Sequence, residues 1–358
     1  MSKLPIRENV PLAPYTTLEI GGPARFLVEA DSEEKIEQAL DFSRSRSCPL
    51  FVLGGGSNIV VADSGFPGLA LKISLRGIQP VDDEDCGRIE AGAGEGWDAF
   101  VKHCVSRELA GLECLSGIPG TVGGAPIQNI GAYGEEAGEV ILSIRVFDRE
   151  TLRVNELSNA ACRFSYRSSI FSTTHENRYI ILKAAFALRP YGPARIHYKD
   201  LQQCFWGRTH NPSLGEVREA VLQIRKAKAM VVSKDDPDSK SVGSFFKNPV
   251  LSPEEAVNIE ELARAAAGLA DSEGIPRFPA PEGKVKLPAA WFVEHAGFHK
   301  GYQYGNAGIS SKHALAIVNR GGATAQDIVD LMHRIQSRVR DLFGIELKPE
   351  PVLIGFGK

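Results

Sequence analysis

FVLGGGSNIVVAD (residues 51–63) runs from an apolar strand through three consecutive glycines, Ser57 and Asn58 into a second apolar strand. Three adjacent glycines cost backbone entropy on folding, so something must approach the turn too closely for side chains. The Walker-type loop is excluded, because no G-x-x-x-x-G-K-[ST] run exists in the chain. A dinucleotide fingerprint requires a helix after the glycines, whereas Gly54, Gly55 and Gly56 lead into β-rich NIVVAD. The segment therefore reads as strand–turn–strand. A run of small residues turns several backbone N–H groups to one side, and such a nest suits a pyrophosphate oxygen. The competing reading is a tight turn packed closely with no ligand.

A second loop of this kind lies at SGIPGTVGGAPIQNIGAYG (116–134), with six glycines and no helical period. Two such loops flanking strands favour a large phosphate-bearing cofactor. Around them, residues 31–47 read as a helix capped by Asp31 or Ser32, with Ile36, Ala39 and Leu40 inward. Trp97, Phe100, Val101, Cys104, Val105 and Leu109 recur with helical spacing, and ILSIRVFD and RYIILKAAFALRP read as strands. A helix is expected over 214–232, with Val217, Val221 and Ile224 on one face. Capped helices are expected to begin at Ser252 and Thr324, the latter ending at Gly344, and PEPVLIG closes the chain as a strand.

The chain has 358 residues, 43% apolar and 24% charged, with a net charge of −3, which offers no global attraction for nucleic acid or anionic membrane. Six scattered cysteines (Cys48, Cys86, Cys104, Cys114, Cys162, Cys204) form no C-x-x-C pair and read as thiols of a reducing compartment. No run is long enough for a signal peptide or a membrane span, so a cytoplasmic protein is expected. His295 and His299 have metal-like spacing, but Gly297 between them argues for structural or solvated histidines and no metal. Trp97 and Trp291 read as core.

LGGGSN (53–58), SGIPGTVGGAPIQNIGAYG (116–134), YRSSIF (166–171), GSFFKNP (243–249) and PEPVLIG resemble, in order and spacing, the UDP-N-acetylenolpyruvoylglucosamine reductases, also called UDP-N-acetylmuramate dehydrogenases or MurB. GGGSN alone is shared with other flavoproteins of the vanillyl-alcohol-oxidase type, whereas GSFFKNP with YRSSIF is specific. The resemblance implies an α+β enzyme. Its FAD-binding domain, of the vanillyl-alcohol-oxidase/PCMH-like type, spans 1–190 in two subdomains (about 1–75 and 76–190). A substrate-closing loop at 191–213 and a C-terminal α+β substrate domain at 214–358 follow. It implies non-covalent FAD along Gly54, Gly55, Gly56, Ser57, Asn58, Ile118, Gly120, Gly123, Gly124, Asn129 and Ala132. It further implies NADPH as co-substrate and UDP-N-acetylglucosamine enolpyruvate as the substrate reduced, and a monomer or weak dimer is expected.

An enol ether accepts hydride only if its carboxylate can take up negative charge, which the site must stabilise before protonating the α-carbon. Arg167 matches the family's carboxylate-binding arginine, Ser244 its proton donor and Glu350 its acidic residue, for which a raised pKa or a role in ordering Arg167 is expected; Glu346 is the other nearby acid. Tyr198, Arg225, Lys228, Lys247 and Asn248 match substrate contacts, Tyr198 marking the longer, type I form. The alternatives are another flavin oxidase of the same superfamily, or a nucleotide-sugar-binding protein without redox activity.

Overall fold

The computed structural model describes residues 4–81, 87–267 and 274–357, so Cys86 lies outside the described residues. The chain divides into two compact units: Met1–Val10, Ala24–Gly56 and Phe66–Val231 form the first, and Pro11–Pro23, Ser57–Gly65 and Val232–Lys358 the second.

The first unit holds two sheets. In one, Ile6–Pro11, Pro23–Ala30, Phe66–Ile73 and Leu50–Leu53 lie in that order, the last three mutually parallel. Parallel strands require a crossover, and the helix Glu33–Ser45 supplies one from Pro23–Ala30 to Leu50–Leu53, with Phe66–Ile73 lying between the two in the sheet. Ser32 caps that helix by accepting from the Lys35 N–H, and Ile36, Ala39 and Leu40 are buried. The other sheet has the order Arg153–Ser158, Ile141–Asp148, Tyr179–Ala187, Arg88–Gly92, Ile78–Pro80, all antiparallel. The helix Trp97–Ser106 packs on this core through Trp97, Phe100, Val101, Cys104 and Val105, with the Phe100 and Phe186 rings 4.8 Å apart.

The second unit is organised by the helix Ala325–Phe343, whose Ile328, Leu331, Met332, Ile335 and Val339 are buried. Thr324 and Asp327 form the expected capping box, and Gly344 ends the helix at φ 67°. The segment Val352–Ile354 lies parallel to Ile59–Val61, nearly three hundred residues earlier.

The two strands around Gly54–Gly56 go to different sheets: Leu50–Leu53 joins the first unit's sheet, while Ile59–Val61 pairs with Val352–Ile354. Two expectations are corrected. The helix from Trp97 stops at Ser106; Glu108 adopts φ 54°, and Leu109 enters a short strand pairing with Arg189–Pro190. The helix expected over 214–232 is Leu214–Ala227. It belongs to the first unit, as does the whole segment 191–231. Packing explains this: Val217, Ala220 and Val221 share an apolar cluster with Cys114 and Leu201.

Candidate active site

In the first unit the two glycine-rich loops meet. A Cβ on Gly55 would lie 2.5 Å from the Gly120 Cα, so chain against chain explains this glycine. The N–H groups of Gly123 and Gly124 are spent on the carbonyls of Ala93 and Thr121, at 2.9 Å each. Those of Gly54, Gly55 and Gly56 carry no hydrogen bond among the described residues. Three successive unengaged donors fit a diphosphate. The second loop is held by Asp98, which accepts from the Gly117 N–H at 2.6 Å and pairs with both terminal nitrogens of Arg218 at 2.7 and 2.8 Å. Burial works against the Asp98 anion, but Arg218 and the Gly117 N–H outweigh it and lower its pKa. Ile118 is half-buried against the core. Asn129 is not left with a free amide: it donates to Glu136 and to the Ser165 carbonyl and accepts from the Gly138 N–H. Its side chain thus stabilises the loop.

Arg167, Arg225, Lys228, Tyr198 and Tyr133 converge in the same unit. Arg167 sits in the left-handed region at φ 52°, a strained conformation for an arginine. One of its Nη atoms donates to the Gly131 carbonyl at 2.8 Å. Arg225 donates to the Met230 carbonyl, yet its buried Nε has no hydrogen-bond partner. Burial lowers its pKa, Tyr133 and Asp98 oppose this, and Arg167 adds to it. A buried guanidinium nitrogen without a partner is a costly state that an anionic ligand relieves. Lys228 sits just past the helix end and pairs with Asp200 at 2.8 Å. Burial opposes its charge, but Asp200 and the nearby tyrosines raise its pKa overall. Tyr198 precedes the short helix Lys199–Cys204, and its ring meets Tyr133 edge-on at 5.5 Å. Sequence reasoning missed Tyr133; the signal was an aromatic at the tip of a polar GAYG turn, where solvation offers it nothing.

The second unit carries Ser57, Asn58, Ser244, Lys247, Asn248 and Glu350. Phe245 and Phe246 are buried and anchor the segment that holds Ser244. That segment runs antiparallel to 348–350: Lys247 N–H donates to the Lys348 carbonyl and Glu350 N–H to the Phe245 carbonyl, both at 2.9 Å. Ser244 and Glu350 are therefore brought to adjoining backbone positions. The Ser244 hydroxyl is half-buried and makes no hydrogen bond among the described residues. The Asn58 amide donates to the Glu350 carbonyl at 3.2 Å, and the Asn58 carbonyl accepts from the Val352 N–H. Pro351 leaves this register intact, since the strand begins only at Val352. Asn248 accepts from the Ala289 N–H and so caps the helix Ala289–His295, leaving only its amide group for a ligand. Glu346 is exposed. His295 stacks on Trp291 at 3.8 Å and His299 meets the Lys300 carbonyl, as befits structural histidines.

Comparison with known proteins agrees with this geometry. Residues 24–154 match the model of an FAD binding domain, and residues 235–354 that of the C-terminal domain of UDP-N-acetylenolpyruvoylglucosamine reductase. The enzyme of that name from Thermobifida fusca is 44% identical over 351 residues, covering 97% of each chain. That from Streptomyces coelicolor is 41% identical, covering 98% of this chain and 91% of its own. The crystal structure of the Thermus caldophilus reductase shares the fold, with a TM-score of 0.66 at 24% identity over 99% of this chain and 100% of its own. With such identity along nearly its full length, the chain belongs to the UDP-N-acetylenolpyruvoylglucosamine reductase family.

Proposed function

We propose that Arg167, Ser244 and Glu350 carry the chemistry of this FAD-containing, NADPH-dependent reductase, which acts on UDP-N-acetylglucosamine enolpyruvate for peptidoglycan precursor synthesis. FAD, when bound, would supply the redox chemistry that links NADPH to the substrate's terminal vinyl carbon, and the residues named below would hold it. Arg167 grips the substrate carboxylate through two parallel hydrogen bonds and holds the charge that develops there; its charge is permanent. Ser244 gives its proton to the α-carbon, and Glu350, on the adjoining segment, orders the carboxylate end of the substrate. The observation that carries this assignment is the unengaged Ser244 hydroxyl beside a backbone zipped to Glu350. Gly54–Gly56 take the FAD diphosphate, with Ser57, Asn58, Ile118, Gly120, Gly123, Gly124, Asn129 and Ala132 along the cofactor. The orphan Nε of Arg225, with Lys228, Tyr198, Lys247 and Asn248, takes the substrate's anionic and uridine groups.

The test separates the half-reactions. Under anaerobic conditions NADPH is added to the yellow protein, then the enolpyruvyl nucleotide sugar. Ser244→Ala is expected to bleach at the parent rate and to regain colour at least about 10²-fold more slowly. Unchanged recolouring would remove Ser244 from the proton path. The same proposal has the protein working in the cytoplasm as a monomer or weak dimer. Among the described residues no helix is long and apolar enough to cross a membrane.

A further inference from the structure

Below Tyr133 two carboxyl groups lie buried that the chemistry above does not use. Glu113, in the short 3-10 turn Glu113–Leu115, is fully buried, and Glu135 is 3% exposed. Their surroundings differ. Glu113 accepts from three backbone N–H groups, those of Gly111 at 2.7 Å, Leu112 at 3.1 Å and Arg195 at 3.3 Å. Glu135 accepts from one, the Cys114 N–H at 3.1 Å, while its Oε1 has no partner. Three donors hold an anion; one donor in an apolar wall does not. With a single donor and an unpartnered oxygen in a buried position, Glu135 is the carboxyl that the environment holds in its protonated form. The other charged or titratable groups facing Glu135 are Cys114, Glu139 and Arg195. Glu139 adds negative charge, Arg195 opposes it while pairing with Glu139 at 3.2 Å, and the Cys114 thiol is itself pushed up.

Glu135 stands in a hairpin. Gly131–Ala132 pairs with Glu135–Glu136, Tyr133 and Gly134 forming the turn at φ 51° and 88°. Directly across from Glu136 is Gly131, whose carbonyl accepts from Arg167. The Glu135 carboxyl ties this hairpin to the turn Glu113–Leu115. We propose that Glu135, as a neutral carboxylic acid, is a positioning residue: it seats the Gly131–Glu136 hairpin and, through the Gly131 carbonyl, aims the Arg167 guanidinium. The inference rests on the reading of Arg167 as the carboxylate-binding group.

Burial, then the charge of Glu113, push the Glu135 pKa up to about 8. Loss of its proton leaves two anions in one buried space, drives the hairpin off the turn and withdraws the Gly131 carbonyl from Arg167. Recolouring by the nucleotide sugar is then expected to slow about 10-fold as pH rises through about 8, while bleaching by NADPH changes little. Glu135→Gln keeps a neutral side chain of the same shape and is expected to abolish this basic limb.

The test joins that rate profile to infrared difference spectra of the FAD-loaded protein. A protonated-carboxyl carbonyl band is expected in the parent at pH 7, absent from Glu135→Gln and lost from the parent as the recolouring rate falls. A parent without that band at pH 7, or a Glu135→Gln variant that keeps the basic limb, overturns the proposal. The parent titration stands alone if the variant misfolds. Failure of the Arg167 reading looks different: Arg167→Lys would then recolour at the parent rate while the infrared band stayed unchanged.

Discussion

At the scale of single residues, the site concentrates its unusual features on charge. Arg167 is held at φ 52°, and one of its Nη atoms donates to the Gly131 carbonyl. Arg167→Lys keeps the charge but loses the planar fork, and recolouring is expected to slow by about 10²–10³-fold with bleaching unaffected. Stopped-flow absorbance of the two half-reactions reads this directly. Elsewhere in the same unit Asp148 meets Arg178 through two hydrogen bonds at 2.7 and 3.1 Å. Arg178 outweighs burial and holds the Asp148 pKa down at about 2. The folded value lies below the ordinary one, so the stability it contributes is present above about pH 4 and is lost as pH falls towards 2. Asp148→Asn is expected to flatten that acid limb in a series of urea melts. Glu135 has the opposite sign: its folded pKa is raised, so stability linked to it declines from about pH 4.5 to about 8. Glu135→Gln should gain on the parent across that interval.

At the scale of elements, caps and apolar faces were legible because they are local. Ser32, Ser252 and Thr324 each cap the helix that their neighbours announce, since a cap acts over three residues. Thr324→Ala is expected to cost about 1 kcal/mol in chemical denaturation. The loss is bounded because Asp63 also accepts from the Ala325 and Gln326 N–H groups, at 2.8 and 3.1 Å. Partnerships between distant elements were not legible. Nothing in LGGGSN says that its flanking strands go to different sheets, since period and propensity report burial and not the neighbour's identity. The Leu214–Ala227 helix reads as amphipathic, but only its contact with Cys114 and Leu201 assigns it to the first unit. The proposed site residues come from family motifs, whereas the contacts that support them were not legible. Asp98, Tyr133 and the Glu113–Glu135 pair acquire meaning only when residues tens of positions apart are seen side by side.

At the scale of the molecule, neither unit is one continuous stretch of chain. The second unit's core includes Leu18, Ile20 and Val60, all nearly inaccessible, from short excursions early in the sequence. A fragment of residues 232–358 alone is therefore expected to lack cooperative unfolding, because those side chains would leave holes costing several kcal/mol together. Circular dichroism and thermal melts check this; a sharp transition from the bare fragment would refute it. The strand Val352–Ile354 has a related consequence for biosynthesis. A ribosome delivers Glu350 nearly three hundred residues after Asn58, yet each is fastened to the other's segment. That join cannot close until Val352 has been made, so a message cut after codon 248 and before codon 348 yields a protein with Ser244 but without the segment 348–350 that registers it.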